Sequence, residues 1–431
     1  MKKVVKKVAL LLIVFGIGVG VTLLYMNNKY KVYEEEEPKQ IKKHVDTISM
    51  MLETEAGSGN YEMTTASSWP TDGYIFNTTL SKCENGGELS WDDENKRVLM
   101  SGNVSDKCYV YFDVIQVLLA DYVKSLYTGT QGENGIYYHD ATLTNGAGDN
   151  SYRYSGADPN NYVCFGTNTT PCPTDNLYRM IGVFGDQVKL VKYDYANSNL
   201  LGTNGDYSAT STYLKSSYST YKGSLTTINR YYWNNSTSTN TWSESLLNKT
   251  NLNTNFITNI GTEWANKIAT TTWKVGGNTS ANIYSKTPSV AYQNEVVNPV
   301  TTNTTDGKTE YSAKISLMYA SDYGFAAAQS AWTANLNTYN DEAIKNVNWM
   351  YMGLAEWTIS RLADGSNSAF FVDGFVYFSD VYRNDLLPDR IGNGFGVRPS
   401  FNLESSITYV SGDGTQNSPI IINWTMYIPI R

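Results

Sequence analysis

The sequence predicts an α+β protein that is anchored in a membrane by an N-terminal transmembrane helix. Three observations lead to this fold class. An uncharged apolar stretch covers residues 8–26. Short β-type segments, separated by turn residues, follow over residues 60–113. Further on, a hairpin pattern at 179–191 precedes helical periodicity at 242–273, so both strands and helices are expected in the C-terminal region.

Composition restricts the classes of function. The chain has 431 residues and a formal net charge of −8; 17% of its residues are charged and 34 are tyrosine. An acidic body excludes nucleic acid as an expected partner, because phosphate binding requires a basic surface. The two histidines, His44 and His139, are too few for a histidine-clustered metal site. Tyr and Asn in place of Lys and Glu indicate a β-rich, hydrogen-bonding surface.

The first element is the membrane anchor. Residues 8–26 are long enough to cross a hydrocarbon core of roughly 30 Å as a helix. Lysines within residues 1–7 place this tail in the cytoplasm and the chain after Met26 outside the cell. A cleavable signal peptide is the alternative, but no small-x-small cleavage site lies near Met26. We therefore expect a single-pass protein of the cell membrane with an extracellular C-terminal body.

The same stretch contains a spacing that is typical of helix pairs. Gly16 and Gly20 form a G-x-x-x-G motif, which lets two membrane helices approach closely. Glycine is common in membrane helices, so the motif alone supports only a weak helix-mediated dimer.

The extracellular part is divided into four predicted segments. They are a stalk and helix at 27–58, a small disulfide-pinned β module with a helix at 59–127, a loop or linker at 128–160, and a C-terminal domain at 161–431. The stalk helix is inferred from apolar residues at helical spacing, namely Ile41, Val45, Ile48 and Leu52. A second helix is expected at 114–127, and the polar composition of 128–160 indicates a long loop.

The four cysteines are expected to form two disulfides, because their number is even and the chain is predicted to be exported. Chain order favours Cys83–Cys108 and Cys164–Cys172, although four cysteines allow three pairings. Four free thiols are the alternative. The chain contains no C-x-x-C motif, and no histidine is placed to activate a catalytic thiol.

Several motifs follow one another in a recognisable order in the C-terminal region. They are the strand segment 178–184, the helical segment 245–256, Ile315-Ser316-Leu317-Met318 with Asp322-Tyr323-Gly324, Trp357-Thr358-Ile359-Ser360-Arg361, and Gly396-Val397-Arg398-Pro399. This order resembles a domain family of unknown function in surface proteins of Gram-positive-type bacteria. The resemblance covers about 175–422 and implies the C-type-lectin-like fold that formylglycine-generating enzymes share.

The resemblance implies a scaffold and not an activity. Formylglycine-generating enzymes use a cysteine pair late in the domain, whereas no cysteine follows Cys172 here. Calcium-dependent lectins bind sugars through an E-P-N or Q-P-D loop followed by W-N-D, and neither triplet is present.

The candidate ligand-binding residues lie in the segment that forms ligand-facing loops in lectin-like folds. They are Trp357, Arg361, Phe371, Tyr377, Tyr382 and Arg383. Such side chains combine a large contact area with a polar tip. The alternative for Trp357 and Phe371 is a place in the core. Arg398 is expected to be structural, with its guanidinium holding a backbone carbonyl or a carboxylate across the fold.

Metal binding and hydrolysis lack a supporting motif. Four acidic residues of one segment offer oxygen ligands for Ca²⁺, but their spacing fits no EF-hand and a solvated surface is the simpler interpretation: Asp373, Asp380, Asp385 and Asp389. A Ser-His-Asp hydrolase would need His139 as its base, and the chain has no G-x-S-x-G motif. We therefore predict no cofactor, no metal and no catalytic residue.

These observations predict a membrane-anchored extracellular binding protein, an adhesin or recognition module, without catalytic activity. Its ligand would be a surface glycan or a protein. Two alternatives remain open: a cell-envelope carbohydrate- or peptide-modifying enzyme on the same fold, and a purely structural envelope protein. A carboxylate pair with perturbed pKa values in a deep pocket would favour the enzyme, and a shallow tyrosine-lined face would favour binding.

Overall fold

The computed structural model describes residues 47–54, 57–70, 73–101, 106–235, 239–278, 286–299, 309–339, 341–363, 368–372 and 394–424. It is mainly β, with 34% strand and 21% helix, so the predicted α+β class is wrong. The described α-helices have only three to seven residues each. None of the helices in this part of the chain has the length and apolar character needed to cross a membrane. The predicted tail 1–7 and span 8–26 lie outside the described residues.

The chain forms two compact units, Met1–Gln116 and Val117–Arg431. The described strands of the first unit are β1 (Thr47–Glu53), β2 (Tyr61–Thr64), β3 (Tyr74–Phe76), β4 (Lys82–Cys83), β5 (Glu88–Asp92), β6 (Arg97–Ser101) and β7 (Lys107–Val114). One sheet has the order β2-β1-β7-β3, with β4 also paired to β7, while β5 and β6 form a separate hairpin. Its core side chains are Met50, Phe76, Val98, Val110 and Phe112.

Strand β1 replaces the described part of the helix that was predicted in the stalk. It pairs in parallel with β7, and Ile48, Met50 and Leu52 all contribute to the core of the first unit. Side chains four residues apart share a face in a helix and in a strand. The spacing of Ile48 and Leu52 therefore did not distinguish a helix from a strand. Met50 between them completes the alternation of a strand.

The first unit contains the Cys83–Cys108 disulfide, which joins β4 to β7 where the two cysteines lie directly opposite each other. The second unit contains Cys164–Cys172. The described chain has no free cysteine. Both bonds therefore have the pairing that chain order favours.

The described strands of the second unit are β8 (Val117–Leu118), β9 (Ile136–Tyr138), β10 (Tyr152–Tyr154), β11 (Tyr162–Cys164), β12 (Leu177–Phe184), β13 (Gln187–Lys192), β14 (Tyr207–Leu214), β15 (Thr227–Tyr231), β16 (Thr271–Lys274), β17 (Gly277–Asn278), β18 (Glu310–Ala313), β19 (Glu356–Leu362), β20 (Ala369–Val372), β21 (Ser400–Asn402), β22 (Ile407–Ser411) and β23 (Ile421–Trp424). The main sheet has the order β21-β13-β12-β10-β9, and β11 also pairs with β12. The smaller sheets are β14-β15, β16-β18, β17-β19-β20 and β23-β22-β8.

The described α-helices of this unit are α1 (Leu119–Ser125), α2 (Ser198–Leu201), α3 (Ile257–Asn259), α4 (Thr262–Asn266), α5 (Pro288–Tyr292), α6 (Ala320–Ala326) and α7 (Glu342–Lys345). Two π-helices span Leu247–Phe256 and Gln293–Val297. Single turns of 3₁₀-helix lie at Glu133–Gly135, Thr174–Asn176, Lys215–Ser217, Gln329–Ala331 and Leu336–Thr338.

The hairpin predicted at 179–191 is confirmed as β12 and β13, with Phe184 opposite Gln187 and Gly185-Asp186 in the turn. Gly185 has φ +63°, a value that glycine adopts without steric cost. The helix predicted at 114–127 is shortened to α1. Val114 ends β7 and Val117 starts β8, as the β-branched side chains in this segment favour.

The helical segment predicted at 242–273 is helical only over 247–259 and 262–266, and its end at 271–273 belongs to strand β16. Asparagine amides connect the helical part to neighbouring loops. Asn251 donates to the Leu201 carbonyl at 2.8 Å and accepts from the Asp206 N–H at 3.0 Å. Asn253 bonds both the N–H and the carbonyl of Ile315, each at 2.9 Å. Asparagine disfavours helices in isolation, so these tertiary hydrogen bonds help to explain why the segment is helical.

Replacing Cys83 and Cys108 with serine should lower the free energy of unfolding of the first unit by about 3 kcal/mol. The disulfide spans 25 positions, and a closed loop of that size restricts the unfolded chain. Urea denaturation without reductant measures the loss. The matched control is Cys164→Ser/Cys172→Ser, which opens a shorter loop with a separation of 8 and should cost less. A Cys83→Ser/Cys108→Ser protein as stable as the wild type would contradict this account.

Candidate functional site

Three of the six predicted ligand-binding residues lie in the interior of the second unit. Trp357, Arg361 and Phe371 are 2%, 1% and 7% exposed, on strands β19 and β20. The Trp357 indole donates to the Tyr231 carbonyl at 2.7 Å, and its ring packs against Phe371 and Phe395. The other three, Tyr377, Tyr382 and Arg383, lie outside the described residues, as do Asp373, Asp380, Asp385 and Asp389.

Arg398 forms a buried ion pair across the second unit. Its Nε and one terminal nitrogen donate to the two carboxylate oxygens of Glu356, both at 2.6 Å. A further hydrogen bond of 2.8 Å reaches the Met350 carbonyl. Burial raises the pKa of Glu356, and the charge of Arg398 opposes that shift. Arg398 thus joins the segment before β21 to strand β19, which is a structural role.

A partly exposed group of tyrosines lies at the edge of the main sheet. Tyr138 on β9 and Tyr152 on β10 are directly opposite each other in the antiparallel register, so both side chains are on one face. Their rings stack at 4.6 Å. Tyr127, just after α1, packs its ring within 6 Å of both, at 5.9 and 5.7 Å. We call Tyr127, Tyr138 and Tyr152 the tyrosine surface.

Polar side chains fix and border the tyrosine surface. The Gln131 amide donates to the Tyr138 carbonyl and accepts from the Tyr138 N–H, each at 2.9 Å. This pair of bonds satisfies the backbone of β9, the terminal strand of the sheet. The Tyr138 hydroxyl donates to the exposed Asn150 amide oxygen at 3.2 Å. The surface therefore offers aromatic rings next to the exposed amide of Asn150, which can hydrogen-bond a ligand.

The opposite face of strand β10 carries a buried arginine. Arg153 lies between Tyr152 and Tyr154 in the chain and is 1% exposed. Its guanidinium donates to Asp149 at 2.7 Å and lies 3.4 Å from Asp322. The alternation of a strand thus places Tyr152 and Arg153 on opposite faces of β10; Tyr154, on the same face as Tyr152, is buried.

Arg153 belongs to a group of five charged side chains, which we call the buried ion cluster: Asp149, Arg153, Lys189, Glu295 and Asp322. The Asp322 carboxylate accepts hydrogen bonds from Lys189 Nζ at 2.5 Å and from the Tyr319 N–H at 2.9 Å. Burial alone would favour the neutral form of Asp149. The charge of Arg153 and hydrogen bonds from Ser151 and Tyr292 outweigh burial and lower its pKa.

Glu295, on the second π-helix, is 1% exposed. One of its oxygens accepts the Ser321 N–H at 3.1 Å, and the other accepts the Ser360 hydroxyl. Burial raises the pKa of Glu295 to about 7, against the opposing effect of the two serines. The carboxyl group is therefore close to the balance between its two protonation states at neutral pH.

His139 adjoins the cluster in a second buried group of aromatic side chains. Its Nδ1 accepts the Ala147 N–H at 3.0 Å, and its ring contacts Phe325 and Trp332. Within the described residues, Nε2 has no hydrogen-bond partner. Burial, reinforced by the charge of Arg153 and opposed by Asp149, lowers the pKa of His139 well below its usual value. The folded protein therefore holds a neutral histidine here.

One group of residues has the composition of a metal site but not its chemistry. Cys83, Asp106 and Cys108 lie close together in the first unit. The two sulfurs are bonded to each other, so neither is a thiolate ligand. Asp106 instead accepts the N–H groups of Asn85 and Gly87, at 2.7 and 2.9 Å.

The chain matches no protein-family model, and comparison with curated proteins and with solved structures finds no significant match to either. The resemblance to a bacterial surface-protein family therefore stays a prediction.

The tyrosine surface and the buried ion cluster were both missed in the sequence. Residues 128–160, interpreted as a loop or linker, contain β9 and β10. The available signal was weak: Tyr152-Arg153-Tyr154 alternates as a strand does, but over only three residues. The ion pairs join residues 133 and 169 positions apart, and no local pattern encodes such contacts.

His139→Gln should reduce the loss of stability on acidification. A group whose folded pKa lies below its unfolded value stabilises the fold above the unfolded pKa, and this contribution is lost as the pH falls. Between about pH 6.5 and 5, the wild type should lose up to about 1.4 kcal/mol per pH unit more than the variant. Urea denaturation across this range measures the difference. The control is His44→Gln, the other histidine, and equal slopes for wild type and His139→Gln would contradict the assignment.

Proposed function

We propose that this protein is a membrane-anchored extracellular binding protein without catalytic activity, and that it contacts its ligand through the tyrosine surface. The observation that carries the proposal is the partly exposed trio in which Tyr138 and Tyr152, on the paired strands β9 and β10, pack against Tyr127. The ligand would be a surface glycan or a protein of the cell envelope.

The physical properties of tyrosine suit this role. Its ring supplies a large contact area with few rotatable bonds, and its hydroxyl adds a hydrogen bond at the rim. Here Tyr138 and Tyr152 are fixed by cross-strand pairing, so little side-chain entropy is lost when a ligand binds. The neighbouring Asn150 amide is uncharged and can add a polar contact to a ligand.

The placement of the acidic groups supports binding over catalysis. Glu295 and Asp322 are 1% and 3% exposed, and both accept hydrogen bonds from protein groups. A glycosidase needs two carboxyl groups that flank a bound substrate. Carboxyl groups enclosed in this way do not flank a substrate that arrives from solution.

The proposed location rests on two further observations. The two disulfides are consistent with an oxidising, extracellular environment. The uncharged stretch 8–26, preceded by lysines, supports an anchor with a cytoplasmic N-terminus. The resemblance to bacterial surface proteins supports the same location.

The test is a binding screen of the protein against a glycan array and immobilised cell-envelope extracts. Replacing Tyr138 and Tyr152 with alanine should weaken saturable binding at least about tenfold, because central aromatic contacts often contribute more than 1 kcal/mol each. The matched control is Tyr311→Ala, a partly exposed tyrosine on a different sheet. Thermal melts of all variants separate lost binding from lost folding.

Three outcomes would contradict the proposal in distinct ways. Loss of binding only in Tyr382→Ala/Arg383→Ala would move the site to the residues predicted from sequence. Chemical change in a retained glycan would indicate an enzyme. Absence of binding to every glycan and extract would favour a structural envelope protein.

A further inference from the structure

Lys189 and Asp322 bring an amine and a carboxyl group together inside the second unit. Lys189 Nζ lies 2.5 Å from Asp322 Oδ2, and the two side chains are 5% and 3% exposed. The lysine is on β13 and the aspartate is on α6, 133 positions further along the chain. The contact therefore joins two distant parts of the chain.

The surroundings of this pair are aromatic. The rings of Tyr319, Trp273 and Phe184 lie 4.6, 5.4 and 5.6 Å from Lys189 Nζ. Removal from water disfavours charged forms, so burial lowers the pKa of Lys189 although Asp322 opposes the shift. A proton that passes from the ammonium to the carboxylate leaves a neutral amine next to a carboxylic acid, and a neutral amine is a nucleophile.

Two neighbouring groups supply the remaining requirements for acyl transfer. Glu295 accepts the N–H of Ser321, the residue before Asp322, and its charge opposes the lowering of the Lys189 pKa, so a buried carboxyl group adjoins the pair. The Arg153 guanidinium lies 3.4 Å from Asp322 Oδ1. A cation in that position stabilises the negative charge that develops on oxygen when the carboxyl carbon is attacked.

We propose that Lys189 and Asp322 condense into an intramolecular isopeptide bond. Lys189 Nζ attacks Asp322 Cγ to give a tetrahedral intermediate whose oxyanion is Oδ1, next to Arg153. Glu295 transfers a proton from the nitrogen to Oδ2. The Nζ–Cγ bond then remains, the Cγ–Oδ2 bond breaks, and one water molecule leaves. No oxidant, reductant or cofactor is consumed, because the reaction is a condensation of an amine with a carboxylic acid.

The bond would link a central strand of the main sheet to α6. It would close a loop of 133 positions, so the unfolded chain would lose much of its conformational freedom. Unlike the disulfides, this link would persist under reducing conditions.

The test is the intact mass of the full-length protein after complete reduction of both disulfides. The expected mass is lower than the sequence mass by one water molecule, and fragmentation should identify a branched peptide that joins Lys189 to Asp322. Lys189→Arg and Asp322→Ala should each restore the full mass. Glu295→Gln, which keeps the size of the side chain, should restore the full mass while circular dichroism shows an unchanged fold.

The matched control is Lys192→Arg. Lys192 is another buried lysine of β13, but its Nζ donates to the Asp175 backbone carbonyl at 2.8 Å. This variant should keep the mass deficit. Full mass in the reduced wild-type protein would overturn the proposal by itself, whatever the folding of the variants, and would leave Lys189–Asp322 as a buried ion pair.

Discussion

The folding of the second unit depends on the neutralisation of one buried carboxylate, which has to be in place before any bond between Lys189 and Asp322 can form. Asp322 lies at the start of α6 and forms ion pairs with Lys189 on β13 and Arg153 on β10. A buried charge without a partner is strongly destabilising, so these three elements are required to lie together. The ion pairs thereby join a helix to two strands of the main sheet.

The same constraint accounts for the position of the tyrosine surface. When Arg153 points inward, the pleat of β10 sends Tyr152 to the opposite face, where the register with β9 places Tyr138 beside it. The short strand β10 thus contributes Arg153 to the buried ion cluster and Tyr152 to the tyrosine surface. Uncharged amides donate further hydrogen bonds to backbone carbonyls of the unit, Gln131 at the sheet edge and Asn251 at the π-helix.

Local features were predictable from the sequence, and features that depend on distant contacts were not. The β12–β13 hairpin has a glycine turn between apolar strands, and the two disulfides follow chain order. The prediction of a helix in the stalk was wrong because the apolar spacing fits a strand as well. Parallel pairing with β7 makes this segment a strand. The fold class failed for a related reason: most helices are short, so strands dominate.

The functional residues were less predictable than the fold. Trp357 and Phe371 are residue types that are common at binding interfaces, but here both are buried and pack against other aromatic rings. The tyrosine surface is visible only once Tyr138 is known to lie opposite Tyr152. Likewise, nothing in the local sequence of Lys189 indicates that its partner is Asp322.

The central claim is that the buried charge of Asp322 organises the second unit, and a comparison of two variants by urea denaturation tests it most directly. Neither variant can form the proposed isopeptide bond, so the comparison between them isolates the buried charge. Asp322→Ala leaves Lys189 without a carboxylate, and the loss of the ion pair alone should lower the free energy of unfolding by about 3–5 kcal/mol. Adding Lys189→Met to that variant should restore part of the loss, because the uncompensated charge is removed. A double variant that is no more stable than Asp322→Ala would contradict the claim.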